Sequence, residues 1–262
     1  MSKNIDVMVK RLDRPIKSFY RMNIDDNIED ILERGYVPFS KTSDYFLVGN
    51  KIPDKDFITE QDLQKGIVII PRKNIHQKVP SQYDIPYNKI TNQCSWVSKN
   101  FVENKDKIYQ CVQENNMEKL SEIYLKCLTK GTEERQDKGK LPQGENLDEL
   151  DTKYHLKNCI YGNPIILQFL DPSIISMIVK PNTKDTLWKD FIESIHKMKN
   201  GTMMILNRDG QTFCFQKISF YEYLILDSHR REFFTVTFKE LKSYILQNND
   251  DGYYYILYDL IH

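Results

Sequence analysis

The stretch "GTMMILNRDGQTFCFQKISFYEYLILDSHRREFFTVTF", Gly201 to Phe238, is a block of strand-like runs dense in Ile, Leu, Val, Phe, Tyr and Thr, residues that fit a pleated, half-buried surface. Upstream, "CSWVSKNFVENKDKIYQCVQ" (Cys94–Gln113) repeats apolar residues at helical spacing, with Val97 and Phe101 four apart and Ile108, Cys111 and Val112 continuing the stripe, which predicts one helix. "MEKLSEIYLKCL" (Met117–Leu128) and "WKDFIESIHKM" (Trp188–Met198) read as further helices, and Lys130 to Lys153, polar and holding three glycines, as an exposed loop. Downstream, "FKELKSYIL" reads as a helix and the Tyr-rich "GYYYILYDLI" as a closing, packed strand. Helices precede the sheet, a segregation that predicts an α+β domain.

Bulk properties set the frame. A chain of 262 residues holds one large domain or two ordinary ones. Hydrophobic residues at 40% and charged residues at 28% predict a globular protein. Thirty-seven Lys plus Arg balance 37 Asp plus Glu, so no net field draws in nucleic acid or an anionic membrane. No window reaches the ~18 apolar residues of a membrane span, and the polar start "SKNIDVMVKRLDR" lacks the apolar segment of a secretory signal. The five cysteines, Cys94, Cys111, Cys127, Cys159 and Cys214, are widely spaced with no CxxC pair, which predicts neither a zinc site nor a disulfide framework. The expectation is a cytoplasmic monomer with reduced thiols and no cofactor.

Residues 1–74 form a first domain in this reading. "NIDVMVKRL" alternates with Ile5, Val7 and Val9 on one face, and Asp13-Arg14-Pro15 turns the chain into "IKSFYRMNI". "DDNIEDILERG" carries helix-start residues, Ile28, Ile31 and Leu32 at helical spacing and a Gly35 stop. "DYFLVGNKI", a short Thr-capped segment "FITEQDLQKG" and "IVIIPR" follow. This ββαβ order with a closing strand resembles ubiquitin-like (β-grasp) domains, although another small ββαβ module fits the same pattern. "PRKNIHQKVP" runs on without a Gly-Gly terminus, so the resemblance implies a docking or regulatory domain and not a conjugated tag. "KNIHQKVPSQYD" (Lys73–Asp84), polar and containing Pro80, reads as a connection to a second domain, residues 75–262.

In that second domain Cys94 opens its predicted helix, where unpaired N–H groups favour a thiolate. A lone Cys is ordinarily packing material. Asp227 and His229 stand two apart on an apparent strand, so both project to one face while Ser228 points away. The carboxylate can then hold Nδ1 and leave Nε2 to take a proton from a nucleophile. Asp-x-His also occurs as an ordinary polar end to a strand. Gln82 lies twelve residues before Cys94, and a side-chain amide near a nucleophile can donate to an oxyanion, with the Cys94 backbone N–H as second donor.

Gln82-Tyr83-Asp84, then Gln93-Cys94 opening a helix, then a strand ending in Asp227-Ser228-His229-Arg230, resembles the deubiquitinase domain of herpesvirus large tegument proteins and related enzymes. These are papain-like cysteine proteases that cut after the C-terminal glycine of ubiquitin. The resemblance implies Cys94 as nucleophile, His229 as general base and acid, Asp227 as its orienter, Gln82 as oxyanion donor, and ubiquitin or polyubiquitin as partner. It covers Ser81 to about Leu246, the middle by element order alone. Trp96 could wall a narrow channel over the substrate's glycines, or be a core aromatic. Where the family often has a small residue or Gly after the His, this chain has Arg230-Arg231.

Two other classes stay open: a thiol amidase or acyl transferase acting on a small amide, and a noncatalytic adaptor. His76, His155 and His196 read as surface or satisfied histidines, and Cys111, Cys127, Cys159 and Cys214 as structural.

Overall fold

The computed structural model describes residues 4–53, 57–85, 93–137, 174–179, 186–208, 211–246 and 255–260. The protein is mixed α+β and divides into two compact units, Met1–Asn74 and Ile75–His262.

Unit 1 holds strands β1 (Ile5–Arg11) and β2 (Lys17–Met22), helix α1 (Ile28–Glu33), β3 (Asp44–Val48), helix α2 (Glu60–Gln64) and β4 (Ile67–Pro71). Its sheet runs β2-β1-β4-β3, with β1 antiparallel to β2 and parallel to β4, and β3 antiparallel to β4. Alternation along each strand sends Val7, Val9, Tyr20, Met22, Phe46, Val48, Ile67 and Ile69 to one face, where Leu32 of α1 and Leu63 of α2 close the core. The Thr59 hydroxyl and the Asp62 carboxylate cap α2 reciprocally. Past the α1 cap at Arg34, Gly35 packs against the Tyr20 ring, which a Cβ there would meet at 2.2 Å.

Unit 2 contains β5 (His76–Lys78), α3 (Gln93–Glu103), α4 (Lys105–Gln113), α5 (Met117–Asp137), β6 (Ile174–Val179), α6 (Thr186–Lys197), β7 (Met203–Arg208), β8 (Gln211–Lys217), β9 (Glu222–Leu226), β10 (Glu232–Thr237), α7 (Phe238–Leu246) and β11 (Tyr255–Leu260). The sheet order is β5-β10-β9-β8-β7-β11-β6, antiparallel throughout. Leu224 and Leu226 of β9 join the core formed with α3, α4 and α5, whereas Tyr223 and Ile225 join the core formed with α6 and α7. Burial on both faces explains the continuous apolar runs MMIL of β7 and YLIL of β9.

Three expectations are corrected, and one strand is added. The single helix over Cys94–Gln113 is two helices, broken at Asn104 (φ −108°, ψ 12°); the Asn104 side-chain amide donates to the Asn100 carbonyl at 2.9 Å, the local competition that makes Asn a poor interior residue. Residues 130–137 of the predicted loop belong to α5; of 130–134 the buried ones are Gly131 and Thr132, which carry no apolar signal, and 138–153 lie outside the described residues, as do His155 and Cys159. Part of the predicted connection is an edge strand, β5, paired with β10. The sheet also contains β6, over a stretch assigned no element from sequence.

α3 is buried on nearly every side between α5 and strands β7 and β8. The close approach depends on Gly131 of α5, where a Cβ would fall 2.7 Å from the backbone N and Cα of Val97. That crossing sets the height of Cys94 against the sheet.

Candidate active site

Cys94, the second residue of α3, is 3% exposed. His229 and the backbone N–H and hydroxyl of Thr212 on β8 are the groups that favour charge on its sulfur. The Thr212 hydroxyl also lies 3.1 Å from that of Ser95, so strand and helix are tied where the sulfur sits.

Asp227 and His229 lie just beyond β9, not on it, so the strand-face argument is corrected: a turn brings them together. Arg230 N donates to the Asp227 carbonyl at 3.0 Å, and Asp227 Oδ1 accepts both the His229 backbone N–H at 3.0 Å and ring Nδ1 at 2.8 Å. The other carboxylate oxygen accepts the Tyr244 hydroxyl at 2.7 Å. With Nδ1 taken by Asp227, Nε2 remains for the Cys94 sulfur.

The edge strand delivers Gln82. Past the β5–β10 pairing the chain keeps running beside the β9–β10 turn, with Val79 N donating to Arg231 O at 3.0 Å and Gln82 N to Ser228 O at 2.7 Å. Ser228 does not point idly away: its hydroxyl donates to Gln82 Oε1 at 2.8 Å. Holding Oε1 orients the amide and leaves Nε2 to donate. On the α3 side, Gln93 Nε2 donates to the Gln82 carbonyl at 3.0 Å. Gln82 thus bridges the residue before Cys94 and the residue before His229.

The two arginines flagged as a departure have defined places. Arg231 makes a bidentate pair with Asp84, 3.0 Å from Nε to Oδ2 and 2.6 Å from Nη2 to Oδ1, which clamps the Gln82 turn to the His229 turn. The Arg230 guanidinium stacks over the Tyr244 and Phe234 rings, 5.1 and 5.4 Å from their centroids.

The electrostatics set Cys94 apart from the other cysteines. Burial opposes a charged sulfur, but the hydrogen bond and charge of His229, with help from Thr212, hold the thiol below its ordinary value. Burial likewise opposes charge on His229, yet Asp227 and Cys94 push it up to about 10. Asp227 is held below the usual carboxylate range: burial opposes its charge, and hydrogen bonds from His229 and Tyr244 outweigh it. The surroundings thus favour the charged form of both Cys94 and His229. Cys111, Cys127 and Cys214 are instead pushed up by burial, Cys127 to about 12, as inert core thiols are.

Trp96, at 1% exposure, packs inside the unit, as the core-aromatic alternative expects. His76 pairs with Glu232 at 2.8 Å on the surface. Among the described residues no His, Cys, Asp and Glu cluster could hold a metal ion, and no helix is long and apolar enough to cross a membrane. Thr212, Tyr244 and Ser228 have roles at the site that the sequence did not signal, each being an ordinary residue of a strand, helix or turn. The chain matches no family model, no curated protein and no solved structure.

Proposed function

We propose that unit 2 is a papain-like cysteine protease that hydrolyses (iso)peptide bonds after the C-terminal glycine of ubiquitin, and that unit 1 is a ubiquitin-like domain attached to it. One observation supports the catalytic part: Asp227 holds the His229 ring at 2.8 Å, and Gln82, tethered to Ser228 and to Gln93, sits beside the start of the helix that carries Cys94, where His229 lowers the thiol. For unit 1, the order β2-β1-β4-β3 with a parallel central pair supports the β-grasp reading.

The chemistry follows from the pair. The Cys94 thiolate attacks the glycine carbonyl carbon, a C–S bond forms, and the oxyanion accepts hydrogen bonds from Gln82 Nε2 and the Cys94 backbone N–H. The imidazolium gives its Nε2 proton to the leaving amine as the C–N bond breaks. Water then attacks the thioester and loses a proton to His229. The C–S bond breaks, returning the thiolate and releasing a carboxylic acid. Asp227 stabilises the imidazolium throughout and stays ionised.

The test is covalent labelling by ubiquitin bearing a C-terminal electrophile, together with cleavage of linkage-defined ubiquitin dimers. Wild type should be labelled and cleave at least one dimer, and Cys94→Ala should do neither. Wild-type silence on both, or turnover by Cys94→Ala, overturns the proposal; turnover of a small amide with ubiquitin ignored would move the site to the amidase class.

A further inference from the structure

Tyr83 lies between Gln82 and Asp84 in a turn closed by Asp84 N donating to Ser81 O at 3.1 Å. Its neighbours are tied down on both sides, Gln82 to Ser228 through backbone and side chain, and Asp84 to Arg231 as well as to the Ser81 N–H and hydroxyl at 2.9 Å each. The Tyr83 side chain is nonetheless 68% exposed. Its ring centroid stands 6.0 Å from that of the His229 ring, at an interplanar angle of 53°. A single exposed aromatic on a surface needs no explanation. This one is different because a rigid turn holds it against the side chain that transfers the proton.

The side of the reaction it occupies follows from the chemistry. A general acid has to come within hydrogen-bond reach of the atom it protonates, so the space beside the His229 ring, whose side chain keeps 13% of its surface open, belongs to the leaving group. The acyl half of the substrate lies toward Cys94 and Gln82. In an isopeptide the leaving nitrogen ends the four-methylene stem of a lysine, and a phenol ring at this position offers that stem an apolar face. Tyr supplies such contact area at low conformational cost.

We infer that Tyr83 is the leaving-group contact of this site, selecting an amine carried on an apolar chain, such as a lysine side chain, over a small leaving group. The inference rests on the deubiquitinase reading. Its test compares kcat/KM for two ubiquitin derivatives sharing one acyl half: a lysine-isopeptide conjugate of a fluorescent peptide, and the C-terminal methyl ester, whose leaving group gives the ring almost nothing to touch. In Tyr83→Ala the ratio of isopeptide to ester turnover falls about tenfold, the scale of a single apolar interaction removed from the transition state. In Tyr83→Phe, which keeps the ring, the ratio stays near that of wild type. Equal losses on both substrates in Tyr83→Ala would mean that the ring only supports His229 and would overturn the inference, as would a Phe variant that behaves like Ala. Wild type inactive on both substrates removes the parent reading, and the inference with it.

Discussion

The Tyr244 hydroxyl, on the last helix described, donates to Oδ2 of Asp227 at 2.7 Å, while Oδ1 of the same carboxylate holds His229. Both groups are buried, Asp227 at 3% exposure and Tyr244 at 7%, so neither oxygen can turn to bulk water for a replacement partner.

Tyr244→Phe therefore leaves a buried carboxylate oxygen short of a donor. The expected loss is about 1–3 kcal/mol of unfolding free energy, read by denaturant titration. Turnover should fall as well, because His229 is less firmly held. An unchanged midpoint would show that the hydroxyl contributes nothing net.

Alkylation of Cys94 should track a thiolate that persists below the ordinary thiol value. Its rate against pH is expected to inflect below 9.0, the ordinary thiol value, because His229 holds the thiol down. In His229→Gln the inflection should move above 9.0, since burial remains and the cation is gone. The alkaline limb of turnover belongs to His229, whose proton is kept up to about pH 10. The sign for stability follows: the His229 contribution is full below its unfolded value of 6.5 and is lost as pH rises through about 10. An inflection shared by wild type and His229→Gln would sink the ion-pair description.

Arg231→Ala should cost turnover more than it costs stability. The Arg231 side chain is 76% exposed, and exposed pairs contribute little to folding, yet this one fixes the turn that carries Gln82. A several-fold loss in kcat with a nearly unmoved thermal midpoint is expected, partly restored in the charge-swapped Asp84→Arg/Arg231→Asp double variant. Asp84 is held down to about 2 by Arg231 and Ser81, so the clamp stays intact as pH falls until that range and is lost below it. A kcat equal to that of wild type would show that the tethers through Ser228 and Gln93 suffice.

Gly131→Ala should displace α3. The added Cβ meets the Val97 backbone at 2.7 Å, and overpacking of that kind costs about 1–3 kcal/mol. A lower thermal midpoint together with altered Cys94 alkylation is the expected pair of readouts. A variant as stable as wild type would mean that the two helices can slide apart freely.

Much of the architecture was legible because it repeats locally. Val7 and Val9 alternate in β1, Leu32 closes one turn of α1, and Thr59 with Asp62 caps α2, each detectable within a few residues. The misread places lack a periodic apolar mark. Gly131 and Thr132 are buried in α5 without being apolar, and Asn104 breaks an apolar stripe that runs straight through it. β5 spans three residues and exists only because β10 lies beside it, yet that pairing is what carries Gln82 to the His229 turn.

The order of residue types along the chain determined that a cysteine opens a helix and that a carboxylate stands two residues from a histidine. Those are relations within one element, where backbone geometry alone sets distance. Folding decided the rest: Thr212 at the sulfur, Tyr244 behind Asp227, Ser228 holding Gln82, and Arg231 closing on Asp84. Apart from the Tyr244 bond, these contacts join segments more than a hundred residues apart. Such a bond depends on where the sheet and helices place two backbones in space, and no local spacing records it.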